Sequence, residues 1–398
     1  MKLLCLSNGH GEDAIALRIL KALQPCDGPL EIAALPIVGD GHAYRRADIP
    51  IAGPTQTMPS GGFVYMDGKQ LWQDVQGGLV GLTRSQLAVA RQWGRAGGSI
   101  LAVGDIVPLL FAWLSGAPYG FVGTAKSEYY LRDETGPLPR PSWFEQLEDW
   151  SGSVYLPWER WLMGRPRCRA VFPRDTLTAK TLQQWAIPAM DLGNPMMDGL
   201  PAASLAISNA PQPQTILLLP GSRSPEAERN WQVVLAAVEA LLAVWDNVRL
   251  LAAIAPHLDQ TAFAQPLIAQ GWQADATQYR RGQATLQLDS RFYEFAAAAD
   301  AAIAMAGTAT EQVVGLGKPV LTLAGDGPQF TPAFAEAQTR LLGPSVELVS
   351  SPAAVGEALR ALWADRPRRQ VIAQNGPRRL GAPGAAARIA AQLLAVMA

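Results

Sequence analysis

The sequence predicts an α/β protein with two parallel-sheet domains, and three observations lead to that fold class. The chain has 398 residues, of which 49% are apolar and 17% charged, so it has room for two cores and the composition of a globular protein. Short apolar runs alternate with amphipathic helical patterns, as they do in right-handed βαβ units. Two strand–turn–helix segments lie about 85 residues apart, which is typical of a sheet that binds a nucleotide at the carboxyl ends of its strands.

Strand-like runs and helical patterns follow one another through the first half of the chain. In order they are Lys2–Leu6, Ala14–Leu23, Ser99–Val103, Val107–Leu114, Tyr119–Val122, Ala170–Phe172 and Leu177–Trp185. Residues 199–214 are rich in proline and small residues and predict a linker. We therefore divide the chain into an N-terminal domain of residues 1–198, this linker, a C-terminal domain of residues 215–364 and a helical tail of residues 365–398.

The first of the two turns follows Ile216–Leu219, an apolar run of the buried-strand type. Ser224 predicts a helix N-cap, with Pro225 at the first helical position. The turn that is left between strand and helix contains Gly221, Ser222 and Arg223. An arginine at such a turn can donate paired hydrogen bonds to a diphosphate. The alternative is that Arg223 forms a surface ion pair with Glu226 or Glu228.

The second turn lies in Ala306–Pro319, which reads AGTATEQVVGLGKP. Thr308 and Thr310 are predicted at the start of a helix, where unpaired N–H groups and the positive end of the helix dipole favour a phosphate. Glu311 is placed to accept hydrogen bonds from a hydroxyl pair such as the ribose 2′,3′-diol. The alternative is a capping box, in which Thr308 and Glu311 only cap their own helix.

Composition excludes several classes of protein. The net charge of −1 gives no field for nucleic acid, so we expect no DNA or RNA partner. Three cysteines without CxxC spacing argue against a disulfide or zinc framework, and three histidines argue against a multi-histidine metal site. No continuous apolar run approaches the ~20 residues of a transmembrane helix, and the apolar start is too short for a signal peptide. We expect a cytoplasmic protein.

Four motifs give the chain a family resemblance. They are SNGHGED at Ser7–Asp13, LGNPMMD at Leu192–Asp198, LLPGSRSPEAERN at Leu218–Asn230 and AMAGTATEQVVGLGKPVL at Ala304–Leu321. In their order and spacing the chain resembles lipid-A-disaccharide synthases and, more closely, the related proteins of cyanobacteria and plastids. The resemblance implies a GT-B fold, in which two Rossmann-like domains face each other across a cleft. It also implies a glycosyltransferase that needs neither metal nor cofactor and moves a sugar from a UDP-sugar to a lipid-linked or membrane-proximal acceptor.

The resemblance also implies which residues bind the donor. Arg223, in the turn with Gly221 and Ser222, would contact the phosphates, and Glu311 would contact the ribose. Phosphate-binding amides and hydroxyls would come from Gly307, Thr308 and Thr310. Gln329 and Gln338 fall where related enzymes touch the donor sugar.

The first loop departs from the lipid A enzymes. Gly9, His10 and Gly11 are closer to the glycine-histidine loop of the peptidoglycan N-acetylglucosaminyltransferase, so the resemblance leaves the acceptor open. Inverting sugar transfer needs a base near the acceptor hydroxyl, and histidine has a suitable pKa. We predict His10 as the base, with Asp105 either orienting it or acting as the base itself. The alternatives are that His10 bonds only to backbone and that Asp105 is the N-cap of the next helix.

An aromatic and basic segment lies between positions 143 and 174. Four tryptophans, Trp143, Trp150, Trp158 and Trp161, are followed by Arg160, Arg165, Arg167, Arg169 and Arg174. Interfacial tryptophan beside arginine predicts peripheral binding to an anionic membrane and would suit a lipid or glycolipid acceptor. The alternative is a satellite core made of these aromatics.

Two other functions fit the same pattern. A UDP-sugar 2-epimerase of the same fold would act on the donor without any acceptor. A nucleotide-sugar-binding or scaffold protein would keep the fold without the chemistry.

Overall fold

The computed structural model describes residues 2–24, 30–56, 79–139 and 150–397. The chain forms two compact units: Met1–Asp198 together with Gly384–Ala398 (unit 1), and Gly199–Pro383 (unit 2). The chain therefore passes from unit 1 into unit 2 and returns for its last helix.

Unit 1 contains a five-stranded parallel sheet in the order β2-β1-β3-β4-β7 and a two-stranded hairpin, β5-β6. Its strands are β1 Lys2–Ser7, β2 Glu31–Pro36, β3 Ser99–Gly104, β4 Tyr119–Gly123, β5 Arg132–Asp133, β6 Gly136–Pro137 and β7 Cys168–Phe172. Every residue of β3 and β4 is buried, which is why these strands read as continuous apolar runs and do not alternate.

Helices cover both faces of this sheet. They are α1 His10–Leu23, α2 His42–Arg45, α3 Leu79–Arg95, α4 Ile106–Ser115, α5 Pro157–Met163 and α6 Thr176–Gln183. Successive residues of β1 point to opposite sides, so Leu3 and Cys5 pack in one core layer with α1. Leu4 and Leu6 pack in the other layer with α4 and α5.

Unit 2 contains an eight-stranded mixed sheet in the order β10-β11-β12-β9-β8-β13-β14-β15. Its strands are β8 Thr215–Leu219, β9 Arg249–Ala253, β10 Gln273–Asp275, β11 Gln278–Arg281, β12 Ala284–Asp289, β13 Ala301–Ala304, β14 Val320–Leu323 and β15 Val346–Val349. The six strands from β12 to β15 in that order are parallel, whereas β10 and β11 add an antiparallel edge. The sequence analysis predicted only the parallel part, because short, polar edge strands give little hydrophobic signal.

The helices of unit 2 are α7 Glu226–Leu242, α8 Gln260–Ala269, α9 Phe292–Ala298, α10 Thr308–Gly315, α11 Pro332–Leu342, α12 Val355–Ala364 and α13 Arg366–Leu380. The core of this unit is centred on α7, whose Trp231, Val234 and Val238 are fully buried. Residues 199–214 form no helix or strand. They pack onto unit 2, where the Trp363 indole donates to the Ala210 carbonyl and Arg369 donates to the Ser208 carbonyl.

The predicted single tail of residues 365–398 needs correction. Helix α13 belongs to unit 2, and the last helix, α14 Ala385–Met397, belongs to unit 1. There Leu393 and Met397 pack on β4 so closely that a Cβ on Gly120 would lie 3.0 Å and 2.9 Å from them. The alanine- and leucine-rich composition predicted helix correctly, but not the long-range partner that buries it.

The segment Arg366–Met397 is long and apolar enough to cross a membrane by length and composition alone. It consists of two helices that pack in different units. Ile389, Ala390 and Leu393 of α14 are buried in the unit 1 core. We therefore interpret α14 as a helix that packs in a protein core.

Candidate functional site

Unit 2 contains a cavity of about 410 Å³ at the carboxyl ends of its parallel strands. This volume lies within the range of small-molecule sites. Its lining combines apolar side chains, such as Ile254, Phe292 and Phe330, with polar groups from two turns. Both predicted turns therefore contribute to one site.

The first turn follows β8. Gly221 has a φ of +108°, which favours glycine, and a Cβ there would lie 3.2 Å from the Met305 carbonyl oxygen, which is a tight contact. The predicted start of the helix, with Ser224 as N-cap, is wrong by one residue. Helix α7 begins at Glu226, and its N-cap residue is Pro225, which forms no side-chain cap. Gly221, Ser222 and Arg223 line the cavity, and their contact with donor phosphates stays a prediction.

Arg223 is the cationic residue of this lining. Burial lowers the pKa of its guanidinium, and the charge of Glu226 partly offsets that effect; an arginine nevertheless stays protonated at neutral pH. Glu226 is 6% exposed and itself lines the cavity, so it is not a surface partner of Arg223. The alternative ion pair of Arg223 with Glu226 or Glu228 is otherwise untested and stays a prediction.

The second turn joins β13 to α10. The helix begins at Thr308, and its N-cap residue is Gly307, which has no side chain to cap it. The capping-box alternative is therefore wrong, because Thr308 occupies the first helical position and not the N-cap. Gly307 and Thr308 line the cavity, so the start of α10, where the first N–H groups have no partner within the helix, borders it.

Three predicted donor residues lie outside the cavity lining. Thr310 is fully buried and its hydroxyl donates to the Ala306 carbonyl at 2.7 Å, so the predicted phosphate contact of this hydroxyl needs correction. Gln338 is 2% exposed and its amide donates to the same carbonyl at 3.0 Å, so it supports the turn from beneath and does not reach a sugar. Glu311 is 9% exposed, and its contact with a ribose stays a prediction.

Gln329 does line the cavity, and its contact with a donor sugar stays a prediction. It lies in the loop of residues 325–330 between β14 and α11 (the GDG loop). Glu226 holds this loop, because its carboxylate Oε1 accepts the N–H groups of Gln329 and Phe330 at 3.1 Å and 2.6 Å. Sequence reasoning considered Glu226 only as a surface partner of Arg223 and missed this contact across 103 residues.

A second polar group lies at the carboxyl end of the unit 1 sheet. Asp105 follows β3 and caps α4, with its Oδ1 accepting the Val107 N–H at 2.8 Å. Its Oδ2 accepts the Asn8 amide at 3.1 Å, which ties it to the loop after β1. The capping role is thus real, and one oxygen of the carboxylate is directed to the first loop. Burial raises the pKa of Asp105, which favours a group that can take up a proton.

The first loop itself is only partly described. Gly9 has a φ of +136°, which favours glycine, and the space where a Cβ of Gly11 would project is open to 4 Å. His10 is the first residue of α1, but its side chain lies outside the described atoms. Its pairing with Asp105 stays a prediction.

Glu12 is a residue that the sequence analysis did not select. Its Oε1 accepts the Thr124 hydroxyl at 3.3 Å, and its Cγ lies 3.3 Å from the Cβ position of Gly104, beside Asp105. Burial raises the pKa of Glu12, and the negative charge of Asp105 adds to the shift. Two carboxyl groups with raised pKa values therefore share this end of the sheet. The sequence signal was only that acidic residues favour a helix N-terminus.

The aromatic segment is divided between surface and core. Trp150, Trp158 and Trp161 are 68%, 52% and 46% exposed, whereas Tyr155 and Leu162 are buried in the core. Trp143 lies outside the described residues. Part of the segment therefore packs in the core, as the alternative expected, and membrane binding by the exposed tryptophans stays a prediction.

Arginines accompany the exposed rings. Arg165 stacks 4.1 Å from the ring of Trp161, and Arg160 stacks 3.9 Å from the ring of Trp185, which is also exposed. Arg174 must be removed from the predicted basic surface, because it is 5% exposed and donates to the Thr124 carbonyl.

In the part of the chain that the structure describes, no group of three or more His, Cys, Asp or Glu side chains could hold a metal ion. Metal independence stays a prediction.

No protein-family model and no curated protein matches the sequence. Solved structures do. The calicheamicin glycosyltransferase CalG4 superimposes with a TM-score of 0.60 at 14% identity, covering 99% of this chain and 98% of that chain. A UDP-GlcNAc 2-epimerase from Neisseria meningitidis bound to UDP-GlcNAc has a TM-score of 0.55 at 14% identity, covering 99% of this chain and 100% of that chain. MnaA of S. aureus in a structure with UDP has a TM-score of 0.57 at 14% identity, covering 100% of this chain and 97% of that chain.

These similarities show the fold. The chain has two Rossmann-like α/β units with parallel sheets, and its neighbours are GT-B proteins, both glycosyltransferases and UDP-GlcNAc 2-epimerases. They do not indicate a lipid-A-disaccharide synthase in particular, so that closer resemblance stays a prediction.

Proposed function

We propose that this protein is a glycosyltransferase that takes its sugar from a UDP-sugar bound in unit 2. The observation that carries the proposal is the cavity where two strand–turn–helix segments meet, with Arg223 on one side and the helix start at Gly307 and Thr308 on the other. Helix N-termini and a guanidinium are suited to a diphosphate. Neighbours crystallised with UDP or UDP-GlcNAc support this choice of ligand.

We assign the proton transfer to unit 1. Removal of the acceptor proton needs a group that is partly unprotonated near neutral pH. Asp105 fits this need because burial raises its pKa and because, while Oδ1 caps α4, Oδ2 is directed to the first loop, where it accepts the Asn8 amide. His10 is the other candidate, from its place in the first loop.

A UDP-sugar 2-epimerase is the second candidate, and a specific observation favours it. Inversion at a sugar carbon by proton transfer can use one group that removes the proton and another that returns a proton to the opposite face. Glu12 and Asp105 are two such groups, with raised pKa values at the end of one sheet. Several of the structural neighbours are epimerases.

One experiment separates these functions. The protein is incubated with UDP-GlcNAc, with and without a membrane lipid fraction, and the products are separated by chromatography. Free UDP that forms only with the lipid fraction supports transfer to a lipid-linked acceptor. A new sugar epimer without lipid would establish the epimerase, and binding without turnover would establish a scaffold.

The acceptor class rests on the surface of unit 1. We propose peripheral contact with an anionic membrane through the exposed tryptophans Trp150, Trp158, Trp161 and Trp185 and the arginines beside them. Glu159, an acid of this segment, does not oppose an anionic surface, because it is 2% exposed and paired with Lys126 at 2.6 Å.

Replacing Trp158 and Trp161 together by serine is expected to weaken binding to anionic vesicles with little loss of melting temperature, because half of each side chain is already exposed. Sedimentation with vesicles measures the binding, which moderate salt should release. Neutral vesicles are the control. Unchanged sedimentation, or a large fall in melting temperature, would contradict the membrane surface.

A further inference from the structure

Glu226 is a buried carboxylate in a cavity that we propose for an anion. It is the first residue of α7, lines the cavity and is 6% exposed. A negative charge there opposes a diphosphate, so its presence calls for another explanation.

The contacts of Glu226 provide one. A single oxygen, Oε1, accepts the N–H groups of Gln329 and Phe330. Bonds from N–H groups to a carboxylate are stronger than neutral ones. They hold the part of the GDG loop that carries Gln329 into the cavity.

A neighbouring side chain holds the same loop at another point. Arg229, one turn further along α7, donates from Nη2 to the Gly327 carbonyl at 2.7 Å. The loop also packs tightly on α7, since a Cβ on Gly325 would lie 3.3 Å from the Asn230 side-chain oxygen. The loop is therefore fixed to α7, the helix that follows the turn of Gly221, Ser222 and Arg223.

Glu226 also acts on that turn. Its charge raises the pKa of Arg223, against the larger effect of burial. One carboxylate thus links the cation of the first turn with the loop that carries Gln329.

We propose that Glu226 is a positioning residue that makes the site prefer a UDP-sugar over UDP. By fixing Gln329 it places a polar side chain against the sugar, and by its charge it limits the attraction of the bare diphosphate. This inference rests on the proposed donor function. It adds the residue that determines which form of the nucleotide binds better.

The test compares Glu226→Ala with Glu226→Gln. Alanine removes both hydrogen bonds and the charge, whereas the glutamine amide oxygen can still accept the two N–H groups. Glu357→Ala is the matched control, because Glu357 is a surface helix glutamate of the same unit, 61% exposed in its pair with Arg360. Calorimetry measures the affinities for UDP and for UDP-GlcNAc.

For Glu226→Ala we expect the affinity for UDP-GlcNAc to fall about tenfold or more while that for UDP falls less or rises. Glu226→Gln should keep most of the affinity for UDP-GlcNAc, because its amide oxygen can still hold the loop, and should bind UDP more tightly than wild type, because the negative charge is gone. The control should equal wild type. Hydrogen exchange of a peptide covering residues 325–331 should be faster in Glu226→Ala and close to wild type in Glu226→Gln.

Other results would overturn the inference. Equal losses for UDP and UDP-GlcNAc in Glu226→Ala would show a merely structural role, and so would a glutamine variant as impaired as alanine. Unchanged affinities would show no role. If wild type binds neither nucleotide, the proposed function fails and this inference with it; if wild type binds UDP, only the preference is at issue.

Discussion

Replacing Asp105 by asparagine is expected to lower turnover by about 10²–10⁴-fold, the usual contribution of a general base. Asparagine can still cap α4, because its amide oxygen can accept the Val107 N–H. It cannot take up a proton. The loss should therefore be in turnover and not in folding, with UDP affinity close to wild type since the donor cavity lies in unit 2.

His10→Ala and the double variant locate the base. Equal losses that do not add would show that His10 and Asp105 act as one unit. A deep loss at Asp105 with a nearly silent His10→Ala would make the aspartate the base. Asp365→Asn is the matched control, because Asp365 caps α13 through the Arg368 N–H. If Asp105→Asn and His10→Ala each keep more than about a third of wild-type turnover, less than about 1 kcal/mol of barrier is involved and the mechanism is wrong.

The pH profile gives an independent check. Burial raises the pKa of Asp105, and a base works only when unprotonated, so turnover should fall as pH decreases through that raised pKa, above the ordinary aspartate range. The folded state also binds this proton more tightly than the unfolded chain does. The group's contribution to stability is therefore fully present at low pH and is lost as pH rises through the folded pKa. Asp105→Asn should move the acid limb of the pH–turnover profile.

Arg223→Ala is expected to weaken UDP binding by about ten- to a hundredfold, or about 1.5–3 kcal/mol, because it removes a charge-assisted contact with the diphosphate. The UDP affinity of Arg223→Lys should lie between those of wild type and Arg223→Ala, since lysine keeps the charge without the planar guanidinium group. Calorimetry with UDP measures the effect. Arg360→Ala, at an exposed arginine of the same unit, should bind like wild type. Unchanged UDP affinity in both Arg223→Ala and Glu311→Ala would remove the donor assignment.

Sequence patterns predicted the structure correctly where it depends on interactions between residues that are close together in the sequence. Buried parallel strands read as apolar runs, and small-residue turns before two helices were recognised from local pattern. Gly221 and Gly307 of these turns line the cavity. The capping role of Asp105 was likewise one of two local readings, and the structure shows it directly.

Patterns failed where a residue meets a partner far along the chain. Glu226 binds N–H groups 103 and 104 residues away, and Gln338 turns inward to a carbonyl 32 residues before it. Neither contact leaves a periodic signal. Thr310 has a local signal, but one that fits a phosphate and a carbonyl four residues back equally well.

The return of the chain to unit 1 has a consequence for biosynthesis. Helix α14 completes the first core, and Asp198 anchors it by accepting the N–H groups of Gly384, Ala385 and Ala386. Unit 2 is one continuous segment and can fold as it leaves the ribosome, whereas unit 1 must wait until residue 397 has emerged. Unit 2 begins later in the chain but can complete its fold before unit 1, whereas N-terminal domains usually fold first. A chain truncated before residue 385 would keep unit 2 but leave an uncovered apolar face on unit 1, which is what chaperones and proteases recognise in a cell.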